Sequence, residues 1–168
     1  MTEPKAGMEL AIAQTSPYER LARLGIVLPA SPSPIANFVT AVREGNLLFL
    51  SGQGPLDSAG QLHRGKVGAG VTVEAAYQHA RLTAINLIAV MHATLGSLDK
   101  VRRIVKILGM VNAAPDFADH PKVINGCSDL MIAVFGEAVG AHARSAVGMS
   151  SLPNQITVEL EAVVAVRD

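Results

Sequence analysis

Tryptophan is absent, cysteine occurs once, and aromatic residues make up only 4% of the 168 positions. A lone Cys127 excludes an internal disulfide framework and any multi-cysteine zinc site. Its setting, "VINGCSDLMIAVF", is apolar and helix-like, so the thiol reads as a core residue or a spectator. With so few aromatics, a stacking platform for single-stranded RNA has little to be built from. Neither charge sign is in excess, since 14 Lys plus Arg face 14 Asp plus Glu. Nonspecific binding to nucleic acid or to an anionic membrane is therefore disfavoured. The longest apolar runs stop short of a bilayer span, and "MTEPKAGMELAIAQTS" has no apolar core of secretory type. A cytoplasmic protein is expected.

What the chain does have is apolar bulk. At 49% hydrophobic and 17% charged residues it suits one globular core. Residues 1–34 read as an N-terminal arm whose first 15 positions show no period and are expected to be flexible or weakly docked. "SPYERLARLG" predicts a short helix, with Ser16 as N-cap, Pro17 in the first position, Glu19 closing a capping box and Gly25 as the stop. "LPASPSP" reads as an extended connector. The main domain is expected over residues 35–168.

"NFVTAV" and "NLLFLSG" predict two strands about a "REGN" turn. The Gly-rich "GQGPLDSAGQLHRGKVGAG" matches neither a P-loop nor GxGxxG and reads as a surface loop. From Thr72 to about Leu95 a helix is predicted: Thr72 caps it, Gly96 stops it, and Ala76, Ala80, Ala84, Leu87, Met91 and Leu95 form one stripe. "VRRIVKILGMV" predicts a strand, and "HPKVINGCSDLMIAVFG" a second helix from Pro121 to Gly136. The order ββαβαββ predicts an α+β fold. One mixed sheet should carry both helices on one face, with parallel crossovers and antiparallel hairpins at its ends. The other face then needs cover, for which a partner subunit is the expected source.

"AHARSAVGMSSLPNQITVELEAVVAV" reads as the closing hairpin. Parity places Val147 and Met149 on the helix side with Val158, Leu160, Ala162 and Val164. The opposite face then holds Arg144, Ala146 and Gly148 with Thr157, Glu159 and Glu161. A turn near Leu152 and Pro153 would set Arg144 opposite or diagonal to the two glutamates, with His142 on the same side. Two readings stay open: a solvated ion pair, or a pocket in which Arg144 holds a carboxylate and a glutamate orients or deprotonates water. Arg144 cannot itself be a base at neutral pH. His63, His79, His92 and His120 lack metal-ligand spacing and read as surface or helix residues, and Ser51 has no identifiable triad partners.

These residues carry a resemblance. "RSAVGMSSLPNQITVELEAVVAV" resembles the C-terminal signature of the RidA/YjgF family of enamine/imine deaminases. "NLLFLSGQGP" resembles that family's second strand, and "DFADHPKVINGCSDLMIAVFG" its second helix. The resemblance spans about residues 35–166, and the long N-terminal arm is similar to a branch labelled endoribonuclease or chorismate-mutase-like. It implies a chorismate-mutase-like fold of the bacillary type and a homotrimer, with sheet faces around a central barrel and active sites between subunits.

The resemblance further implies that Arg144 clamps the carboxylate of a 2-imino or 2-enamino acid. Glu159, with the backbone carbonyl of Ala146, would position the attacking water, and a 2-oxo acid and ammonia would leave. Phe38, Ser51, Gly52 and Asn125 complete the implied substrate site. No metal or organic cofactor is implied, and the only partners are a small carboxylate-bearing imine or oxo acid and two further copies of the chain. Phe38 stands where many members have tyrosine, and Ala146 where they often have cysteine. Glu161 is expected in a structural ion pair. The alternatives are a noncatalytic trimer that binds small carboxylates, as a sensor or chaperone, and RNA cleavage using His142 beside Arg144.

Overall fold

The computed structural model describes residues 15–168, so the loose arm expected at the N-terminus falls, apart from Thr15, outside the described residues. The elements are α1 (Pro17–Arg23), β1 (Ala41–Glu44), β2 (Leu47–Gln53), the two-residue β3 (Lys66–Val67) and β4 (Gly70–Val71), and α2 (Val73–Leu95). Then follow β5 (Val101–Asn112), α3 (His120–Phe135), the one-turn α4 (Glu137–Gly140), β6 (Ala143–Met149) and β7 (Val158–Val166).

Helix termini follow local chemistry. The Ser16 hydroxyl accepts the Glu19 N–H, and the Glu19 carboxylate accepts the Ser16 N–H, which completes the expected capping box of α1. Leu21 is buried in the main core, and the Tyr18 hydroxyl accepts the Leu98 N–H at 2.8 Å. The Thr72 hydroxyl caps α2 by accepting the Ala75 N–H at 3.2 Å, and Gly96 ends it at φ +74°. The predicted stripe from Ala76 to Leu95 is buried throughout.

The five-stranded sheet has the order β1-β2-β7-β5-β6. β1 and β2 form a hairpin through Gly45 and Asn46, with Gly45 at φ +55°. β5 and β6 are parallel neighbours joined through α3. β2 also runs parallel to β5, but β7 lies between them, antiparallel to both. The α+β mixed sheet with both helices on one face is as expected. The closing hairpin is not, because β6 and β7 do not pair. β7 ends in "AVVAV", a run without alternation that suits a strand flanked on both edges, whereas β6 has one neighbour and is largely exposed. The chain reaches β7 through a 3₁₀ turn at Pro153–Gln155, where Asn154 and Gln155 hold φ +55° and +57°.

α2 and α3 lie close together because Gly126 rests on the backbone of Tyr77, where any Cβ would strike the carbonyl oxygen. Cys127 beside it is fully buried, and burial pushes its thiol up to about 12, as a core residue should be. Among the described residues nothing covers the sheet's other face, where Val42, Phe49, Val147 and Met149 are exposed. Among the described residues no helix is long and apolar enough to cross a membrane. The Gly-rich segment after β2 is tied down more than a surface loop requires. The Asn86 amide donates to the carbonyls of Gly54 and Leu56, and Lys66 Nζ donates to Asn112 Oδ1 at 3.0 Å and the Ser150 carbonyl at 2.8 Å.

Candidate active site in two halves

Register decides which side chains share a face. Ile107 of β5 pairs with Arg144 of β6 and with Ala162 of β7, whereas Met110 pairs with Val147 and with Glu159. Paired residues point the same way. Arg144 therefore shares the helix-covered face with buried Ile107 and Ala162, and Glu159 and Glu161 share the open face.

The expected parity is right for β7 and inverted for β6. Val147 and Met149 lie on the open face, 40% and 37% exposed, while Ala146 packs against the core and Gly148 lies beneath the His120 ring. Alternation assigns faces only relative to a pairing partner, and the assumed hairpin gave β6 the wrong one. Arg144 is thus neither opposite nor diagonal to the glutamates, with β5 running between them. The ion pair expected at Glu161 is also missing among the described residues.

The first half of the site centres on Glu159. A cleft of about 480 Å³ is walled by residues 32–36, Phe38, Leu56, Leu62 and Ile156, with Gly52 and Glu159 at its side. β2 is bulged between Leu50 and Gln53, and the Glu159 carboxylate rests against Gly52, in the space a Cβ would need. Glu159 has no ion-pair partner among the described residues. Burial, and then the like charge of Glu161, raise its pKa above the ordinary carboxylate range. Phe38 lines this cleft and has no hydroxyl to offer. Ser51 donates to the Val39 carbonyl at 2.6 Å and borders a separate hollow with Lys106, Ser145 and Glu161. Of the residues singled out by sequence, Phe38, Gly52 and Glu159 come together here.

The second half centres on Arg144, at the sheet edge under α3. Arg144 Nη1 donates to Asn125 Oδ1 at 2.9 Å and Ser128 Oγ at 3.0 Å, and Nη2 donates to the Pro121 carbonyl at 3.4 Å. All three acceptors are neutral, so the cation has no counter-charge among the described residues. Three N–H groups are engaged, which leaves two of the guanidinium's five for a ligand. Asn125 thus belongs behind Arg144. His142 is beside it, but both ring nitrogens are occupied: Nδ1 by the Gly140 carbonyl at 2.6 Å and Nε2 by Ser128 Oγ at 3.0 Å.

Sequence reasoning missed three contributors. The Pro-rich connector forms a wall of the Glu159 cleft. Ser128 sits three residues after Asn125, a helical spacing that puts both on one face and was the available signal. His79 lies on α2, within the expected surface or helix setting, but its contacts with His63 and Thr157 were not foreseen. The two histidine rings stack with centroids 4.4 Å apart, and His79 Nδ1 meets Thr157 Oγ1 at 3.0 Å, which pins the loop bearing Leu62 to α2. Burial, then the neighbouring His63, lower the pKa of His79.

Comparison with known proteins bears on this architecture. A family model described as "YjgF/chorismate_mutase-like, putative endoribonuclease" matches residues 18–161. Protein TCP17 of Trypanosoma cruzi is 45% identical over 144 residues, covering 86% of this chain and 90% of that protein. The crystal structure of Atu1372 from Agrobacterium tumefaciens superimposes with a TM-score of 0.82 at 40% identity, over 96% of this chain and 99% of that one. A crystal structure from Shewanella oneidensis superimposes with a TM-score of 0.86 at 30% identity, over 90% of this chain and all of that one.

Proposed function

Since the chain belongs to the YjgF/chorismate mutase-like family, we propose that it hydrolyses reactive 2-imino and 2-enamino acids to 2-oxo acids and ammonia. The sites are clefts between the subunits of a homotrimer. The observation that carries this reading is a half-buried Glu159 in an apolar cleft, where neither it nor Arg144 has an ion-pair partner among the described residues.

A second copy would complete the site. Within one chain the sheet itself separates Arg144 from Glu159, whereas packing another copy against the uncovered face can bring one subunit's Arg144 edge to its neighbour's Glu159 cleft. The exposed Val42, Phe49, Val147 and Met149 supply apolar area for such an interface.

The chemistry asks for little beyond orientation and a proton route. The two free N–H groups of Arg144 bind the substrate carboxylate in parallel, which aims the C=N carbon at the Glu159 cleft. Glu159, ionised, takes a proton from water as its oxygen bonds to that carbon. The carbinolamine nitrogen, protonated in turn, leaves as ammonia when the C=O forms. A raised pKa makes Glu159 a stronger base than an exposed glutamate and brings it closer to the operating pH.

The test is competition with semicarbazide for freshly generated 2-iminobutyrate. Faster loss of the trappable imine with the wild type, and not with Arg144→Ala, supports the reading. Equality with buffer at ample protein removes it. Phe38, a hydroxyl-free cleft wall, favours a second reading in which the trimer binds small carboxylates without turnover. That reading predicts thermal stabilisation by 2-oxo acids with background imine loss. RNA cleavage loses its acid–base candidate, because both nitrogens of His142 are already bonded within the chain.

A further inference from the structure

We propose that Ser128 and His142 are positioning residues, forming a hydrogen-bonded relay that fixes the Arg144 guanidinium in its carboxylate-binding orientation. The inference rests on the reading of Arg144 as the carboxylate clamp and extends it to two residues that never touch substrate.

The polarity of the relay follows from its far end. The Gly140 carbonyl can only accept, so the proton of a neutral His142 ring sits on Nδ1, which donates to it at 2.6 Å. Nε2 is then an acceptor, and the Ser128 hydroxyl must donate to it across 3.0 Å. With its proton committed, Ser128 Oγ turns its lone pairs outward and accepts from Arg144 Nη1 at 3.0 Å. Asn125 Oδ1 accepts the other Nη1 hydrogen at 2.9 Å, and the Pro121 carbonyl takes one Nη2 hydrogen at 3.4 Å. Every donor within the relay meets an acceptor, whereas the reversed imidazole tautomer would set the Nδ1 lone pair against the Gly140 carbonyl oxygen, two acceptors facing each other.

The consequence is directional. Both Nη1 hydrogens are consumed, so the N–H groups left for a ligand are Nε–H and one on Nη2. A clamp loses binding when its fork can rotate, even though its charge is unchanged. Burial lowers the pKa of His142, the bond to the Gly140 carbonyl partly opposes this and the nearby Arg144 adds to it, and the net lowering favours the neutral ring that gives the relay its polarity.

The experiment compares wild type, Ser128→Ala, Ser128→Thr, His142→Ala and the double alanine variant, each as the whole protein. Two readouts are taken: imine hydrolysis split into kcat and KM, and the rate at which phenylglyoxal modifies Arg144, followed by peptide mass spectrometry. Ser128→Ala and His142→Ala should each raise KM about tenfold while kcat changes less than about threefold, and each should speed Arg144 modification severalfold. Ser128→Thr should restore wild-type behaviour, and the double variant should do no more than either single one. A lowered melting temperature with KM and modification rate unchanged would mean a merely structural bond and would overturn the proposal, as would additive effects. If wild type shows no turnover, the deaminase reading fails, but the Arg144 modification rates still decide the relay.

Discussion

Arg144 and Glu159 stand on opposite faces of one sheet, with β5 between their strands, and each lacks an ionic partner among the described residues. Two opposite charges that could have neutralised each other are held apart by strand order. A cation bound only to neutral acceptors and a carboxylate placed in an apolar cleft both cost stability. Such costs fit groups kept for a ligand.

Gly52 controls where the Glu159 carboxylate sits, since a Cβ at that position needs the space the carboxylate occupies. Gly52→Ala should therefore displace Glu159 and lower kcat/KM for imine hydrolysis by about tenfold or more, with a melting temperature within a few degrees of wild type. Steady-state kinetics beside a thermal melt check both halves of this prediction. Unimpaired turnover in Gly52→Ala would separate Glu159 from the chemistry.

The pH profile should carry the signature of Glu159. Activity requires the ionised carboxylate, so the acid limb of kcat/KM should lie above the ordinary glutamate value of about 4.3. Glu161→Gln removes the like charge that contributes to the shift and should move that limb to lower pH. The same shift has a stability sign. The folded chain holds this proton more tightly than the unfolded chain, so stability falls as pH rises through the two pKa values. At neutral pH the cost is fully present, and Glu159→Gln should melt no lower than wild type while losing activity.

Cys127 should be inert in the folded protein. With its thiol pushed up to about 12 by burial, iodoacetamide at mildly alkaline pH should leave it unlabelled until urea unfolds the chain. Mass spectrometry of the alkylated protein measures this. Rapid labelling of the native state would mean that α3 opens readily from the core.

Much of the fold was legible because its signals are local. Ser16, Thr72, Gly96 and Gly136 marked helix ends through capping chemistry that needs no tertiary information. β7 was sorted correctly because its buried residues alternate with two glutamates. β6 was not, since "ARSAVGM" carries no strong alternation of its own and its faces depend on the strand beside it. The inserted position of β7 was the missing fact. The unbroken apolar run at its end pointed to a central strand, yet adjacency in sequence favoured a hairpin. At the site, single residues were recoverable, but their division into two halves was not, because strand order sets it. Ser128 and the Pro32–Ala36 wall were hidden for a related reason. The wall acts through where its backbone is carried, and Ser128 through a hydroxyl whose only sequence signal is its spacing from Asn125.

If a complete site takes Arg144 from one subunit and Glu159 from another, mixing two inactive variants should restore activity. Arg144→Ala and Glu159→Gln, each inactive alone, would be co-expressed in equal amounts, and imine hydrolysis measured on the unfractionated pool of trimers. A cyclic trimer assembled at random from equal amounts has wild-type pairs at about a quarter of its interfaces. Recovery to about a quarter of wild-type activity is the predicted result. Mixed assemblies as inactive as the two parents would contradict the account.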